Sequence, residues 1–140
     1  MDDPFRSRCA IASALEIIGD KWTLVIVRSL IVGATSYSDL LAAPEKIATN
    51  ILADRLARLE AQGLIVCERA PVGGKARLRY RLTPAGAELL PVLQAIATWG
   101  AAHLPGRSPV PDWFREARPQ DLLTDPASTP LPLDRGSAQT

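Results

Sequence analysis

The sequence predicts a mainly helical α+β domain with one small sheet, and three observations support this. Of the 140 residues, 47% are hydrophobic and 22% are charged, a composition that indicates a single packed domain and excludes disorder of the whole chain. Apolar residues at helical spacing and capping residues indicate four helices before residue 63. Two strand-like stretches around a Pro- and Gly-rich turn follow, and a last helical region comes after them.

The first two helices are separated by a Gly-Asp pair. Apolar residues at helical spacing predict a helix over residues 9–18, which Gly19 stops. Asp20 is expected to cap a second helix, over residues 21–32, because its carboxylate can accept from the free N–H groups of the first turn. Apolar side chains surround most of this second helix, so it should form the buried centre of the domain.

A short helix and a helix with a polar face come next. Ser36 and Asp39 have the spacing of a capping box at the start of the short helix. The helix predicted over residues 49–62 has only a narrow apolar stripe, so its opposite face is available to water or a partner. The stripe consists of Leu52, Leu56 and Leu59.

The two strands are predicted at residues 64–69 and 77–83. Five basic residues and no acidic one lie between Arg69 and Arg81, and in the second strand three arginines alternate with three apolar residues, which places them on opposite faces. The final helical region extends to His103. Pro91 should kink or restart this region, because proline lacks a backbone donor.

This order of elements is that of a winged helix-turn-helix with a two-stranded wing. In that fold the fourth helix enters the major groove of DNA, and the hairpin reaches the backbone or the minor groove. The net charge of only +1 gives no global sign of a nucleic-acid partner, but a local cluster of cations matters more for DNA affinity. The predicted DNA contacts are Thr49, Asn50, Arg55 and Arg58 on the helix, Lys75, Arg77 and Arg79 on the wing, and Tyr37 and Ser38 toward the backbone.

Each of these contacts has a purely structural alternative. Alternating charges also occur on any solvated strand face. Asn50 could bond its own backbone instead of a base, and Thr49 could cap the helix, since Ala48 has no capping group. Asp54 is expected to pair with Arg55 or Arg58.

Several segments, in this order, closely resemble the HxlR family, bacterial winged-helix transcriptional regulators related to the MarR group. The resemblance covers about residues 9–103 and implies a homodimer, held by its first and last helices, that binds a palindromic operator in double-stranded DNA. The segments are Gly19-Asp20-Lys21-Trp22-Thr23, Tyr37-Ser38-Asp39-Leu40, Ile47 to Leu56, Gly63-Leu64-Ile65, Leu82-Thr83 with Gly86, and Leu90-Pro91 to Trp99-Gly100.

The dimer that the resemblance implies agrees with an excess of apolar residues in the terminal helices. The alternative is that these side chains only pack on their own core. The predicted interface consists of Ile11, Leu15 and Ile18 in the first helix and Val92, Leu93, Ile96 and Trp99 in the last.

Some family members sense oxidants or electrophiles through the cysteine that Cys9 matches. Cys9 is therefore a candidate redox sensor, although Ala10 stands where proline commonly follows. The preferred alternative is an inert, partly buried thiol, because free cysteines are usually buried. Cys67, in the first wing strand, is interpreted as packing.

We expect three segments: an N-terminal arm (1–8), the winged-helix domain (9–104) and a Pro-rich tail (105–140), which holds seven of the 12 prolines. The tail is expected to be loosely attached, with residues 112–116 as a segment that could dock through two aromatics. There is no signal peptide or membrane-length apolar stretch, so we expect a cytoplasmic protein without a membrane partner.

No enzyme, metal or cofactor is expected, because the lone His103 cannot supply a His-based metal site or a nucleophile pair. The function that the sequence predicts is a DNA-binding transcriptional regulator, with repression as its usual logic and an oxidant or small-molecule effector as its candidate signal. The alternative is a winged-helix module that binds protein without binding DNA.

Overall fold

A computed structural model describes residues 3–72 and 74–123 of the chain. Residues 1–2 of the expected arm, residue 73 of the hairpin turn and residues 124–140 of the expected tail lie outside the described residues. The elements are α1 (Ala10–Ile18), α2 (Thr23–Ile31), α3 (Tyr37–Leu41), α4 (Thr49–Ala61), β1 (Ile65–Val72), β2 (Lys75–Leu82), α5 (Pro84–Ala87), α6 (Leu90–His103), α7 (Asp112–Glu116) and a 3-10 helix (Pro119–Leu123). This mainly helical arrangement with a two-stranded antiparallel sheet confirms the predicted winged helix-turn-helix.

The centre of the core is α2, as the sequence predicts. Ile26, Val27 and Ile31 are almost fully buried, and leucines from α3, α4 and α6 pack around them. The helix begins at Thr23, two residues later than expected, because residues 21 and 22 form a turn. Asp20 nevertheless accepts hydrogen bonds from the N–H groups at the start of α2, as predicted.

The capping box predicted for α3 and the restart predicted at Pro91 are both confirmed. Ser36 accepts from the N–H of Asp39, and the Asp39 carboxylate accepts from the N–H of Ser36, which completes the capping box. Hydrogen bonds from the backbone of Thr35 and Ser36 hold the pKa of Asp39 below its usual value. Pro91 lies in the first turn of α6, where its missing donor costs nothing, so the last helical region does restart there.

The hairpin is longer than the sequence indicates. Its strands pair from Ile65 with Leu82 at the base to Val72 with Lys75 near the turn. The outer half leaves the body of the domain, so Leu82 is buried whereas Leu78, four residues further out, is 47% exposed. Apolar alternation in β2 therefore does not produce a fully buried face.

The C-terminal segment returns to the core, so the expectation of a loosely attached tail is wrong for residues 110–123. The Phe114 side chain is 7% exposed and belongs to the core cluster, with Val110, Trp113 and Leu122 packed beside it. Gln94 of α6 fixes the backbone of this segment, because its amide nitrogen donates to the carbonyl groups of Phe114 and Ala117 at 2.9 and 2.8 Å. The docking that residues 112–116 suggested does occur.

Candidate nucleic-acid interface

Helix α4 rests on the core with one face and exposes the other. Leu52, Leu56 and Leu59 are at most 4% exposed and belong to the core cluster, and the helix contacts α3 and β1. The opposite face consists of polar or small exposed side chains: Asn50, Asp54, Ala57 and Arg58. The helix that the sequence assigns to the major groove is thus anchored on the core and leaves a polar surface outward.

The N-terminal end of α4 is open. Ala48 occupies the N-cap position and no side chain caps the helix, so the expectation that Thr49 is the cap is wrong. Asn50 is exposed, and within the described residues its side chain makes no hydrogen bond, so the local bond considered as its alternative does not form. Both side chains at this end therefore face outward.

An ion pair and an unusual backbone conformation, neither of which the sequence indicated, define the turn before α4. The guanidinium of Arg28, in α2, binds both carboxylate oxygens of Glu45 at 2.8 Å, and this pairing lowers the pKa of Glu45. Lys46, the next residue, adopts a left-handed conformation with φ of 58°. An arginine in a buried helix is the only sequence signal that could have indicated such a partner.

The candidate residues of α3 differ in their surroundings. The hydroxyl of Tyr37 donates to the carbonyl oxygen of Thr49 at 2.8 Å, which joins α3 to the first turn of α4. Ser38 is exposed at the start of α3. Tyr37 thus positions the helix whose end it touches, whereas Ser38 faces solvent.

The two arginines of α4 also differ. Arg58 has a 70% exposed side chain, and its Nε lies 3.0 Å from Asp54. Arg55 has a side chain that is only 21% exposed, and it binds Asp54 and also Asp20, which lies three residues before the start of α2. The predicted pairing of Asp54 is therefore confirmed with both arginines, and Arg55 is directed into the domain.

Strand β2 presents its cations on one face. The register pairs Glu68 with Arg79 and Val66 with Arg81, so Arg77, Arg79 and Arg81 share a face, as the alternation predicts. Arg81 binds the Glu68 carboxylate, and this hydrogen bond lowers the pKa of Glu68. Since β1 includes Glu68, the net charge of the hairpin is +4, one less than the sequence count between residues 69 and 81 suggests.

Lys75 and Arg77, near the outer end of the hairpin, are exposed, and Arg79 is partly exposed. None of the three forms a salt bridge within the described residues, although Arg79 adds to the electrostatic stabilisation of Glu68. The base of the wing is fixed to the segment that precedes α3 by a hydrogen bond of 2.7 Å from the Tyr80 N–H to the Thr35 carbonyl. The exposed cations are thus carried on an anchored hairpin.

The terminal helices expose most of the apolar residues assigned to a dimer interface. Ile11 and Leu15 in α1 are 73% and 56% exposed, and Ile96 and Trp99 in α6 are 50% and 60% exposed. Ile18 is half-buried, and the Val92 side chain is 37% exposed. The alternative that these helices only pack on their own core is wrong for the exposed residues.

The prediction that Leu93 lies in the interface is wrong, because its side chain is buried. Its side chain is 8% exposed and belongs to the core cluster, so it faces its own domain and not an interface. Ile96, three residues further along α6, lies only about 60° around the helix from Leu93 but is 50% exposed, so the edge of the core falls between these two positions.

The two cysteines form no disulfide in the described part of the chain and lie far apart in sequence. Cys9, directly before α1, is exposed, so the preferred expectation of a partly buried thiol is wrong. Cys67 is partly buried and pairs across the sheet with Tyr80. Burial and the neighbouring thiol raise the pKa of Tyr80.

The part of the chain that the structure describes contains neither a metal-binding cluster nor a membrane-spanning helix. No cluster of three or more His, Cys, Asp or Glu side chains there could hold a metal ion. None of the helices described has both the length and the apolar character that a membrane crossing requires.

Comparison with known proteins places the same elements in one family. A profile of the HxlR-like helix-turn-helix family matches residues 17–108. YvaP of Bacillus subtilis, an uncharacterized HTH-type transcriptional regulator, is 33% identical over 89 residues, which make up 61% of this chain and 79% of YvaP. Rv3095 of Mycobacterium tuberculosis, also an uncharacterized HTH-type transcriptional regulator, is 34% identical over 97 residues, which make up 69% of this chain but only 60% of Rv3095.

Solved structures agree with this assignment. The crystal structure of PA1607, described as a candidate transcription factor, has a TM-score of 0.65 and 36% identity, over 75% of this chain and 73% of PA1607. The redox regulator HypR in its oxidized form has a TM-score of 0.62 and 25% identity, over 68% of this chain and 97% of HypR. Because the family match includes every element from α2 to α6, the chain belongs to the HxlR-like helix-turn-helix family and is a DNA-binding transcriptional regulator.

Proposed function

We propose that the chain acts as a homodimer on a two-fold symmetric operator, with α4 in the major groove and the wing on the flanking backbone or minor groove. The observation that carries this proposal is the open N-terminal end of α4 beside an anchored hairpin with net charge +4. DNA affinity comes largely from cations that neutralise phosphates, whereas specificity comes from side chains at base edges. The two surfaces supply one of these functions each.

The proposed contacts follow from exposure. Thr49 and Asn50 lie at the end of the helix that enters the groove first, and Arg58 follows on the same exposed face. Asparagine suits adenine and arginine suits guanine, because each can form two hydrogen bonds to that base. Ser38 is placed toward the backbone. Arg55 and Tyr37 are left out, because both are engaged inside the domain.

The proposed wing contacts are the exposed or partly exposed cations of β2 that form no salt bridge. Lys75, Arg77 and Arg79 meet this description, whereas Arg81 is bound to Glu68. Each neutralised phosphate steepens the dependence of log affinity on log salt by about 0.9. The wing therefore makes binding strong and salt-sensitive without reading the base sequence.

Dimerisation is supported by the apolar side chains that α1 and α6 leave in solvent. Ile11, Leu15, Ile96 and Trp99 are each at least half exposed, and large apolar side chains left exposed in this way are typical of interaction sites. A dimer formed through these helices would place two α4 helices about 34 Å apart on one side of the duplex. Operator symmetry would then reflect the symmetry of the dimer.

The regulatory logic that we propose is repression in the cytoplasm, by occupancy of an operator. Cys9 is exposed at the start of α1, next to the proposed dimer surface, and the structural relative HypR is described as a redox regulator. Oxidation of Cys9 is therefore a candidate signal, and a small-molecule effector is the other. With Cys9→Ser, oxidant should no longer release the protein from DNA, while the affinity of the reduced protein stays the same; oxidant release that persists in this variant would sink the redox proposal.

The test of the wing is a salt titration of DNA affinity with Arg77→Gln/Arg79→Gln. This variant should bind more weakly, and its slope should flatten by about 2, one unit for each lost phosphate contact. The matched control removes two cations elsewhere, with Arg107→Gln/Arg118→Gln on the C-terminal segment, and should leave the slope unchanged. Equal slopes in all three proteins would contradict the proposed wing contacts. An interaction with duplex DNA that does not depend on salt would favour the protein-binding alternative.

A further inference from the structure

We infer that Asp20 and Arg55 form a positioning pair that sets the orientation of α4 and so acts on DNA specificity without touching DNA. This inference rests on the proposed function, since it concerns the helix assigned to the major groove. It assigns a role to the Gly-Asp-Lys-Trp-Thr segment, none of whose residues is among the proposed DNA contacts.

The Asp20 carboxylate is held in place by the start of α2. Its Oδ2 accepts from the backbone N–H groups of Trp22 at 3.0 Å and Thr23 at 3.2 Å. Its Oδ1 accepts from the hydroxyl of Thr23. Because α2 is the buried centre of the core, a carboxylate fixed to its first turn has little freedom to move.

Arg55 binds this fixed carboxylate from the middle of α4. Its Nε donates to Asp20 Oδ2 at 2.8 Å, and a second guanidinium nitrogen binds Asp54. Partial burial alone would raise the pKa of Asp20, but the hydrogen bonds from Thr23, Arg55 and Trp22 outweigh it and hold the pKa at about 2. The pair therefore stays charged at every physiological pH.

The position of Asp20 in the chain connects α4 to α1. Gly19, the preceding residue, ends α1 and donates its N–H to the carbonyl oxygen of Leu15 at 2.8 Å. A Cβ atom at Gly19 would lie 2.3 Å from that oxygen, so only glycine fits this close approach. A shift of α1, one of the two helices in the proposed dimer surface, thus reaches the partner of Arg55 after a single residue.

The leucine stripe alone does not fix α4 as closely. Leu52, Leu56 and Leu59 bury one face, but apolar contacts have no preferred direction, so they permit small rotations of the helix about its axis. A charged hydrogen bond at the flank of the helix removes this freedom. Without it, the side chains at the open end of α4 would miss their base edges, whereas phosphate contacts from the wing would persist.

The experiment compares Asp20→Asn, Arg55→Lys and the double variant of these two with the wild-type protein, and adds Arg55→Gln, which removes the charge, for the salt dependence. Affinity is measured for a selected operator and for random duplex DNA, each over a range of salt concentrations. Asparagine can still accept from the N–H groups of α2, and lysine keeps the positive charge, so both single variants are expected to fold; thermal melts check this. If one variant fails to fold, the other decides the outcome.

The expected result is a loss of operator affinity of about tenfold in each single variant and no further loss in the double variant, as for two residues of one interaction. Affinity for random duplex DNA and the salt slope should stay unchanged. Arg58→Gln is the comparison for a direct contact, and its salt slope or base preference should change. These differences separate an indirect role from a contact.

Two results would overturn the inference. Tighter or unchanged operator binding by Asp20→Asn would show that Arg55 is not needed at its present position. A flatter salt slope for Arg55→Gln, by about one unit, would show that Arg55 contacts a phosphate. Failure of the proposed function has a different signature, because the wild-type protein would then show no salt-dependent binding to any duplex.

Discussion

Replacement of Phe114 by alanine tests whether the C-terminal segment is part of the folded domain. The ring is 7% exposed within the core cluster, in a segment that Gln94 also holds through two short hydrogen bonds. Removal of the ring leaves a space that the neighbouring helices cannot fill completely. Residues 110–123 lie beyond the family match, which ends at residue 108, so this packing is an addition to the shared domain.

The expected loss of stability follows from the burial. A Phe→Ala change in a core costs about 3–5 kcal/mol. Since the segment lies at the end of the described chain, it can also detach, and the loss is then limited to the free energy with which it docks. We therefore expect about 2–4 kcal/mol, which for a domain of this size lowers Tm by about 10 °C.

Thermal and urea denaturation of the full chain measure this loss. The matched control is Leu123→Ala, in the same segment, whose side chain is 40% exposed; it should change the free energy of unfolding by less than about 1 kcal/mol. A loss of less than about 1 kcal/mol with Phe114→Ala as well would refute the docking and would restore the expectation of a loose tail.

Three further predictions concern other parts of the chain. Ile96→Asp should give a folded monomer in sedimentation, whereas Leu93→Ala should lower the free energy of unfolding by about 2–4 kcal/mol and keep the oligomeric state; the reverse pattern would contradict the assignment of the two faces of α6. The stability that charged Asp20 supplies is complete above its ordinary pKa of 3.8 and is lost as the pH falls through about 2; for this partly exposed group it amounts to about 1 kcal/mol after solvent screening. Asp20→Asn should therefore make the free energy of unfolding depend less on pH over that range. An unchanged pH dependence in this variant would count against the pair. Lys46→Gly should raise the free energy of unfolding by up to about 1 kcal/mol, because glycine accepts a φ of 58° without strain; a lower stability would show that the Lys46 side chain contributes more than its backbone conformation costs.

Features encoded within a few residues could be predicted from the sequence. The capping box of α3 needs only Ser36 and Asp39 at the right spacing, and the restart at Pro91 follows from the chemistry of one residue. The stripe of α4 follows from the helical period. In each case the determining interaction lies within about one turn of the residue concerned.

Features that depend on packing could not be predicted. Leu93 and Ile96 are both apolar residues of one helix, and only the position of the core decides which of them is covered. Arg55 resembles any exposed cation of α4 until Asp20, 35 residues earlier, is brought next to it. Phe114 lies in a Pro-rich stretch whose composition indicates a loose tail, because composition does not report a single buried ring. Each outcome needed the three-dimensional arrangement.

The most direct test of whether a symmetric dimer reads DNA through α4 is selection of bound sequences from random duplex DNA, with the full chain at a stated salt concentration. A dimer that presents two α4 helices should enrich one inverted repeat, with half-site centres about 10 base pairs apart. Arg58→Gln should bind the same repeat less selectively. Enrichment of a single unrepeated site, or of no sequence at all, would contradict the account of a symmetric dimer that reads DNA through α4.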